Sequence, residues 1–350
     1  MMPIKMKAAV LTELKKPLVV TEVTLPKELA VGQVLVKVRY SGICGSQLGE
    51  IDGVKGADPY IPHLLGHEGS GEVVDCGPGV KHVVPGDHVV LHWRKGNGIE
   101  AATPAYEWNG KSLNAGPITT FNEFAVVSEN RVTKIDAATD MRIAALFGCA
   151  VTTGFGVIEN SAQIRIGESI MVFGSGGVGL IAIKAAALSS AFPIIAVDRF
   201  ENRLELAKSF GATHTIDSSR DDPASALRSI VGAAGLDCFV DTTGRPEVIE
   251  LGIELTNADG RVVLVGVPPK QEKVSFNTLC LHFGKTISGS TGGGAIPATD
   301  IVRLERLVKN GRLELGQFIS AVRPLAEVNE AISDMRLGKI SGRCLIEMGA

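Results

Sequence analysis

Three residues able to do soft-metal chemistry stand out: Cys44 in YSGICGSQLGE, His67 in LLGHEGSG and Cys149 in LFGCAVTTGFG. Two thiolates and one imidazole make a tetrahedral donor set suited to zinc. Three protein ligands also leave a fourth position for water or substrate, which is the catalytic rather than the structural arrangement. Residue type alone does not bring the three together. Their separations match no compact zinc knuckle, and a lone cysteine is as readily a buried small hydrophobe, a lone histidine a hydrogen-bonded polar residue. Cys76, Cys238, Cys280 and Cys344 take that structural reading.

A second constellation lies in SIMVFGSGGVGLIAIKAAALSS, where Gly174, Gly176 and Gly179 form G-x-G-x-x-G between an apolar strand and an alanine-rich helix. Ser175, Gly177 and Val178 fill the remaining positions. Glycine there permits a tight turn, close approach of backbone to a pyrophosphate and tight helix-on-strand packing, while the helix N-terminus offers unpaired N–H groups to the anion. Asp198 closes the next strand, IIAVD, about 20 residues beyond the last glycine, the spacing of a carboxylate that accepts from an adenosine 2′-hydroxyl. Such a carboxylate repels a 2′-phosphate, so NAD(H) is expected over NADP(H), with Arg199 next door able to soften the preference.

These residues need two kinds of scaffold. Residues 7 to 90 hold short β-rich runs such as QVLVKVRY and GSGEVVDCG, broken by GPG and PGD, the turn chemistry of an antiparallel, barrel-like β domain. From about residue 151 the pattern alternates strand and helix, with SIMVFG, PIIAVD, DCFVDTTG and RVVLVGV as strands, and predicts a doubly wound parallel sheet. Residues 94 to 120 are polar, glycine-rich and aperiodic, and read as a functional or interface loop.

Composition sets the outer bounds. A chain of 350 residues, 45% hydrophobic and 21% charged, is globular material for two domains. A net charge of −3 gives no electrostatic footprint for nucleic acid or an anionic membrane, so small-molecule partners are expected. The N-terminal stretch has no signal-type apolar region, and six dispersed cysteines argue against a disulfide framework, so a cytoplasmic protein is expected.

SGICGS, LLGHEGSGEVVDCGPGV, VVPGDHVV, GCAVTTGFGVI and VFGSGGVGL occur in the order seen in zinc-dependent medium-chain alcohol dehydrogenases, and the chain resembles that family through nearly its whole length. The resemblance implies an α/β protein: a GroES-like β-rich catalytic domain, residues 1–150 and 293–350, around a Rossmann NAD-binding domain, residues 151–292. It assigns catalytic zinc to Cys44, His67 and Cys149, and places Glu68 behind the metal as a neighbour or transient ligand. Ser46 matches the hydroxyl that bridges the reacting alcohol to the cofactor ribose. Thr153 corresponds to a nicotinamide contact, Val265 and Val267 to the carboxamide-binding backbone, Arg203 to a ribose contact and Arg343 to a pyrophosphate contact. Trp93 falls where relatives line the substrate pocket. With Arg94 and Lys95 following, it suggests a polar substrate such as a sugar, cyclitol or phosphorylated alcohol, simple aliphatic or aromatic alcohols being the alternative.

Three departures qualify the transfer. The acid that orients the zinc-bound imidazole in many relatives is Gln47 here, and the relay histidine of liver-type enzymes is Gly49, which leaves proton export to water or Glu50. No cysteine lies between residues 94 and 120, so one catalytic zinc and no structural zinc is expected. A zinc-free quinone-reductase-like enzyme and a non-catalytic NAD-binding relative are the rival readings, and the retained Cys44, His67 and Cys149 argue against both. Finally, the β-prone segments 261–267 and 285–294 should lie at an edge of the Rossmann sheet and pair across a homodimer axis, with 94–120 free to add contacts toward a tetramer.

Overall fold

The computed structural model describes residues 4–233 and 235–349. The chain forms two compact units, Met1–Cys149 with Ile296–Ala350, and Ala150–Ala295. The return to the first unit comes three residues later than the sequence boundary at 293. The turn Gly292–Gly294 packs on the helix Ala150–Gly156, and Asn160 Nδ2 donates to the Gly293 carbonyl at 2.9 Å, so this turn belongs to the smaller unit.

The larger unit is β-rich. One sheet runs in the order Val132–Lys134, His88–His92, Glu68–Cys76, Gln33–Gly42, Arg343–Glu347, Ile319–Pro324, and Phe124–Ser128 also pairs with Gln33–Gly42. Along Gln33–Gly42, Val34, Val36 and Val38 are buried while Lys37 and Arg39 are exposed, the period-2 alternation of a strand with one face on the core. The pairing Leu345↔Gly42 brings the strand Arg343–Glu347 beside it, so both segments of this unit share one sheet. A second sheet has the order His63–Leu64, Lys5–Leu11, Val19–Thr24, Tyr106–Trp108, Lys111–Leu113.

Residues 94–120, read from the sequence as a functional or interface loop, contribute two short strands to that second sheet. Tyr106–Trp108 and Lys111–Leu113 form a hairpin, turned by Asn109 and Gly110, both at positive φ, as a two-residue connection of the I′ kind requires. Tyr106 is buried and its hydroxyl accepts from the Val126 N–H at 2.8 Å. The Asn-Gly pair was the available signal, obscured by the polar residues around it.

The smaller unit is a parallel sheet in the order His214–Asp217, Ile194–Asp198, Ile170–Phe173, Leu236–Asp241, Thr256–Leu264, Thr286–Gly289. Its central strands are buried on both faces, as continuous apolar runs demand. Thr286–Gly289 is the edge strand, and Thr256–Leu264 lies one place inside it.

Candidate active site

Cys44 follows the central strand Gln33–Gly42 and stands at the N-terminus of the helix Gly45–Ile51, where its N–H donates to Gln47 Oε1 at 2.9 Å. His67 directly precedes the strand Glu68–Cys76. Cys149 sits between the helices Met141–Leu146 and Ala150–Gly156. Gly148 lets this turn press on the sheet: a Cβ there would meet the Leu91 carbonyl oxygen at 2.3 Å and Glu68 Cα at 2.7 Å. One ligand atom from each of Cys44, His67 and Cys149 lies within 4.8 Å of the other two.

The thiols approach to Sγ–Sγ 4.0 Å, far outside disulfide length. It is close to the ~3.8 Å that two sulfurs ~2.3 Å from one tetrahedral zinc would show. His67 Nε2 is buried without a hydrogen-bond partner. A hydrogen bond from the Cys149 thiol, against the penalty of burial, holds the Cys44 thiol well below its ordinary pKa, with Arg343 and His67 adding positive potential. The Cys149 thiol, donating to that thiolate and buried, is driven well above. Without a cation one of the pair therefore keeps its proton; a dipositive ion removes the conflict. The donor set, the sulfur spacing and the orphan nitrogen all fit zinc.

Behind the trio, Glu68 is fully buried and its Oε1 lies 2.9 Å from Arg343 Nε. Arg343 is 2% exposed, donates from Nη1 to the Ile43 carbonyl at 2.9 Å, and is held firmly charged by Glu68 and the thiolates despite burial. Arg343, expected as a pyrophosphate contact, pairs with Glu68 behind the trio through Nε and with the Ile43 carbonyl through Nη1. Sequence reasoning missed this pair because no local pattern links positions so distant in the chain. Gln47 Nε2 contacts His67 Nδ1, and Ser46 Oγ lies 3.5 Å from the same nitrogen. A metal held at Nε2 would require the proton on Nδ1 and an oxygen acceptor there; with Gln47 Oε1 taken by the Cys44 N–H and its Nε2 turned to the ring, that acceptor is Ser46 Oγ.

Trp93 and Arg94 follow the strand His88–His92. Trp93 is half-buried on the core and Arg94 Cζ lies 5.6 Å from its ring centroid. Lys95 pairs with Glu100 at 2.7 Å, and Arg131 with the same carboxylate at 2.8 Å. Glu129 accepts from the N–H groups of Lys81, His82 and Ile99 and from the His82 ring, which holds its carboxyl at about 2 against burial. Carboxylates thus pin the start of a segment that has no thiols to pin it.

In the smaller unit, Gly176 precedes the helix Gly177–Leu188, which carries Gly177, Val178 and Gly179 in its first turn. A Cβ at Gly179 would lie 1.9 Å from the Gly174 carbonyl oxygen, so only glycine fits. A cavity of about 440 Å³ is lined by Gly174, Gly176, Asp198, Arg199, Arg203 and Thr243, among others. Asp198 accepts from the Ser175 N–H at 2.8 Å and the Arg199 N–H at 2.8 Å, and lies 3.6 Å from Arg203. Arg199 and Arg203 both stack on Phe200, with Cζ 4.8 and 4.7 Å from the ring centroid. Thr153 is buried in the helix Ala150–Gly156; Val265 follows the strand Thr256–Leu264, and Val267 is exposed.

Residues 30–137 match the alcohol dehydrogenase GroES-like domain and residues 177–309 the zinc-binding dehydrogenase model. The chain is 31% identical to an S-(hydroxymethyl)glutathione dehydrogenase of Synechocystis sp., over 96% of this chain and 98% of that protein. A zinc-binding-domain alcohol dehydrogenase protein from Burkholderia ambifaria superposes with a TM-score of 0.90 at 30% identity, covering 99% of this chain and 100% of that one. Benzyl alcohol dehydrogenase from Acinetobacter calcoaceticus does so with a TM-score of 0.88 at 29% identity and the same coverage.

Proposed function

The chain belongs to the zinc-binding, GroES-like alcohol dehydrogenase family, and from that premise we propose that it interconverts an alcohol with its aldehyde or ketone using NAD(H) and one zinc per chain. Membership makes it a zinc-containing oxidoreductase that uses a nicotinamide cofactor. The single observation behind the site assignment is the clustering of Cys44, His67 and Cys149 ligand atoms within 4.8 Å, with His67 Nε2 buried and unpartnered. A zinc held there supplies a Lewis acid that acidifies an alcohol or polarises a carbonyl. A nicotinamide cofactor bound in the cavity lined by Gly174, Gly176 and Asp198 would supply the hydride acceptor or donor.

The chain's own residues do the rest. Glu68 and Arg343 fill the space behind the ligands with a paired charge and hold water out of it. Ser46, at the open side of the helix Gly45–Ile51, takes the hydroxyl proton. Gly174, Gly176 and Gly179 open room for a pyrophosphate at the N-terminus of Gly177–Leu188, and Asp198 accepts from an adenosine ribose, which supports NAD(H). Arg203 lines the same cavity, and Thr153, Val265 and Val267 are further cofactor contacts in this reading. The expectation of one zinc rests on the absence of cysteine from residues 94–120 of the sequence. Metal analysis of never-chelated protein tests the site: one zinc per chain is expected, and active protein holding well under one overturns it.

For the substrate, Arg94 on Trp93 and the Synechocystis relative's named substrate favour an alcohol with a polar or anionic group. A second reading, a simple aliphatic or aromatic alcohol, is favoured by Lys95, which is spent on Glu100, and by the benzyl alcohol dehydrogenase likeness. The kcat/KM values for S-(hydroxymethyl)glutathione, sorbitol and benzyl alcohol separate them. A homodimer through the edge strand Thr286–Gly289 is supported by the exposed Leu279, Leu281 and Phe283 just before it, and light scattering at the 36.8 kDa of one chain would exclude it. No helix among the described residues is long and apolar enough to cross a membrane, and all six cysteines are free, which supports a reducing cytoplasm.

A further inference from the structure

The site has an acceptor for the substrate proton in Ser46, but Gly49 offers no side chain to carry that proton onward. Ser46 and Glu50 are four residues apart on the helix Gly45–Ile51 and therefore share one face. Glu50 meets two further side chains: one ligand atom from each of Glu50, Asp58 and His63 lies within 4.8 Å of the other two. His63 is 6% exposed. Its Nδ1 lies 2.9 Å from the Leu64 carbonyl, which can only accept, so Nδ1 carries a proton. Its Nε2 faces Asp58 Oδ2 at 3.0 Å, and Asp58 Oδ1 accepts from the Tyr60 N–H at 2.9 Å. With Nδ1 donating to that carbonyl, the Nε2–Oδ2 contact needs one further proton shared between the ring and the carboxylate. The cluster is thus built to hold a mobile proton at the surface end of the helix that carries Ser46.

We propose that Glu50, with His63 and Asp58 as positioning residues, carries the reaction's proton between Ser46 and solvent. This rests on the alcohol dehydrogenase reading. In oxidation the carbinol C–H bond breaks, and its electron pair passes to nicotinamide C4. The hydroxyl proton goes to Ser46 Oγ as that group releases its own to a water spanning one helical turn, about 5.4 Å. The water protonates the Glu50 carboxylate, which is exposed and discharges to bulk. Reduction runs the same path inward. Although Glu50 is exposed as a residue, partial desolvation of its carboxyl raises it above its ordinary value and Asp58 adds to this, while His63, His67 and Lys55 oppose it.

The test uses zinc-loaded, full-length enzyme with NAD⁺ and whichever of S-(hydroxymethyl)glutathione, sorbitol and benzyl alcohol gives the highest kcat/KM, following hydride transfer by NADH absorbance and proton release by phenol red in stopped flow. Glu50→Gln should slow the proton-release transient by about tenfold or more with KM little changed, and imidazole buffer should restore it in proportion to concentration. Glu50→Asp should keep the wild-type transient, and His63→Gln should shift the pH profile of release without altering zinc content. Wild-type proton release in Glu50→Gln, or a loss that buffer does not rescue, overturns the proposal. So does a second stoichiometric metal ion that His63→Gln removes, since the cluster is then a metal site. Wild-type turnover that needs no zinc overturns the reading of the reaction, whereas zinc-dependent turnover with Glu50→Gln unaltered overturns this proposal alone.

Discussion

The proposed metal centre and the proposed dinucleotide cavity are built on opposite plans. Cys44, His67, Cys149 and Arg343 come from four separate stretches and are held by pairings such as Leu345↔Gly42 and Glu68↔His92. The glycine loop and Asp198, by contrast, come from one continuous strand–helix–strand run, Ile170–Phe173, Gly177–Leu188 and Ile194–Asp198. A site assembled from distant strands depends on the whole sheet and on buried charges that must remain paired. A site made from one local unit depends mostly on backbone geometry, so damage to either should leave the other readable.

The largest effect expected from this contrast is a clean separation. Cys44→Ser or His67→Ala should abolish turnover, while NAD(H) binding, followed by nicotinamide fluorescence, stays in the wild-type range. If cofactor affinity falls as far as activity, the two sites are not independent and the contrast breaks.

Next in size is the buried pair behind the metal centre. Arg343→Ala leaves Glu68 charged with no counterion in a site where the two side chains are 2% and 0% exposed, and should cost about 3–5 kcal/mol in denaturant unfolding. Arg343→Met with Glu68→Gln should recover most of that, because no lone charge remains. A double variant as unstable as the single one would mean that shape, not charge, is what the pair provides.

The strand end beside the centre should show a pH signature. His92 is buried, with Nδ1 2.7 Å from the Arg94 carbonyl and Nε2 2.9 Å from Thr133 Oγ1, and burial pushes its pKa down to about 4. It folds neutral, whereas the unfolded chain takes up a proton near 6.5, so its contribution is full above that value and is lost as pH falls toward 4. The loss is at most about 3 kcal/mol. His92→Gln should flatten the slope of stability against pH across that window, and an unchanged slope would assign the acid sensitivity elsewhere.

The smallest effect concerns the cavity. Asp198→Gly should shift the ratio of kcat/KM for NADP(H) over NAD(H) upward by about ten- to hundredfold, or ~1.4–2.7 kcal/mol, because Arg199 and Arg203 remain to meet a 2′-phosphate. A wild-type enzyme that already prefers NADP(H) would show that the two arginines, not the carboxylate, set the choice.

Much of this was legible before any coordinates. The change from alternating β runs to strand–helix alternation near residue 151 is a local pattern, and the sheets follow it. The glycine spacing and Asp198 are local as well, and helix Gly177–Leu188 begins where the motif requires. The Asn109-Gly110 hairpin was equally local and passed unread amid polar residues. By itself, then, the sequence determined the two fold types and the glycine loop between strand and helix, because propensity and turn chemistry act over a few residues, whereas the three proposed soft ligands were singled out only by resemblance to a family. Only the tertiary structure decided that Cys44 and Cys149 approach to 4.0 Å, that Arg343 lies on Glu68, and that Glu50 meets His63 and Asp58. Those contacts join segments whose register is set by sheet pairing and core packing, and no short-range signal encodes which distant side chains a given register will bring face to face.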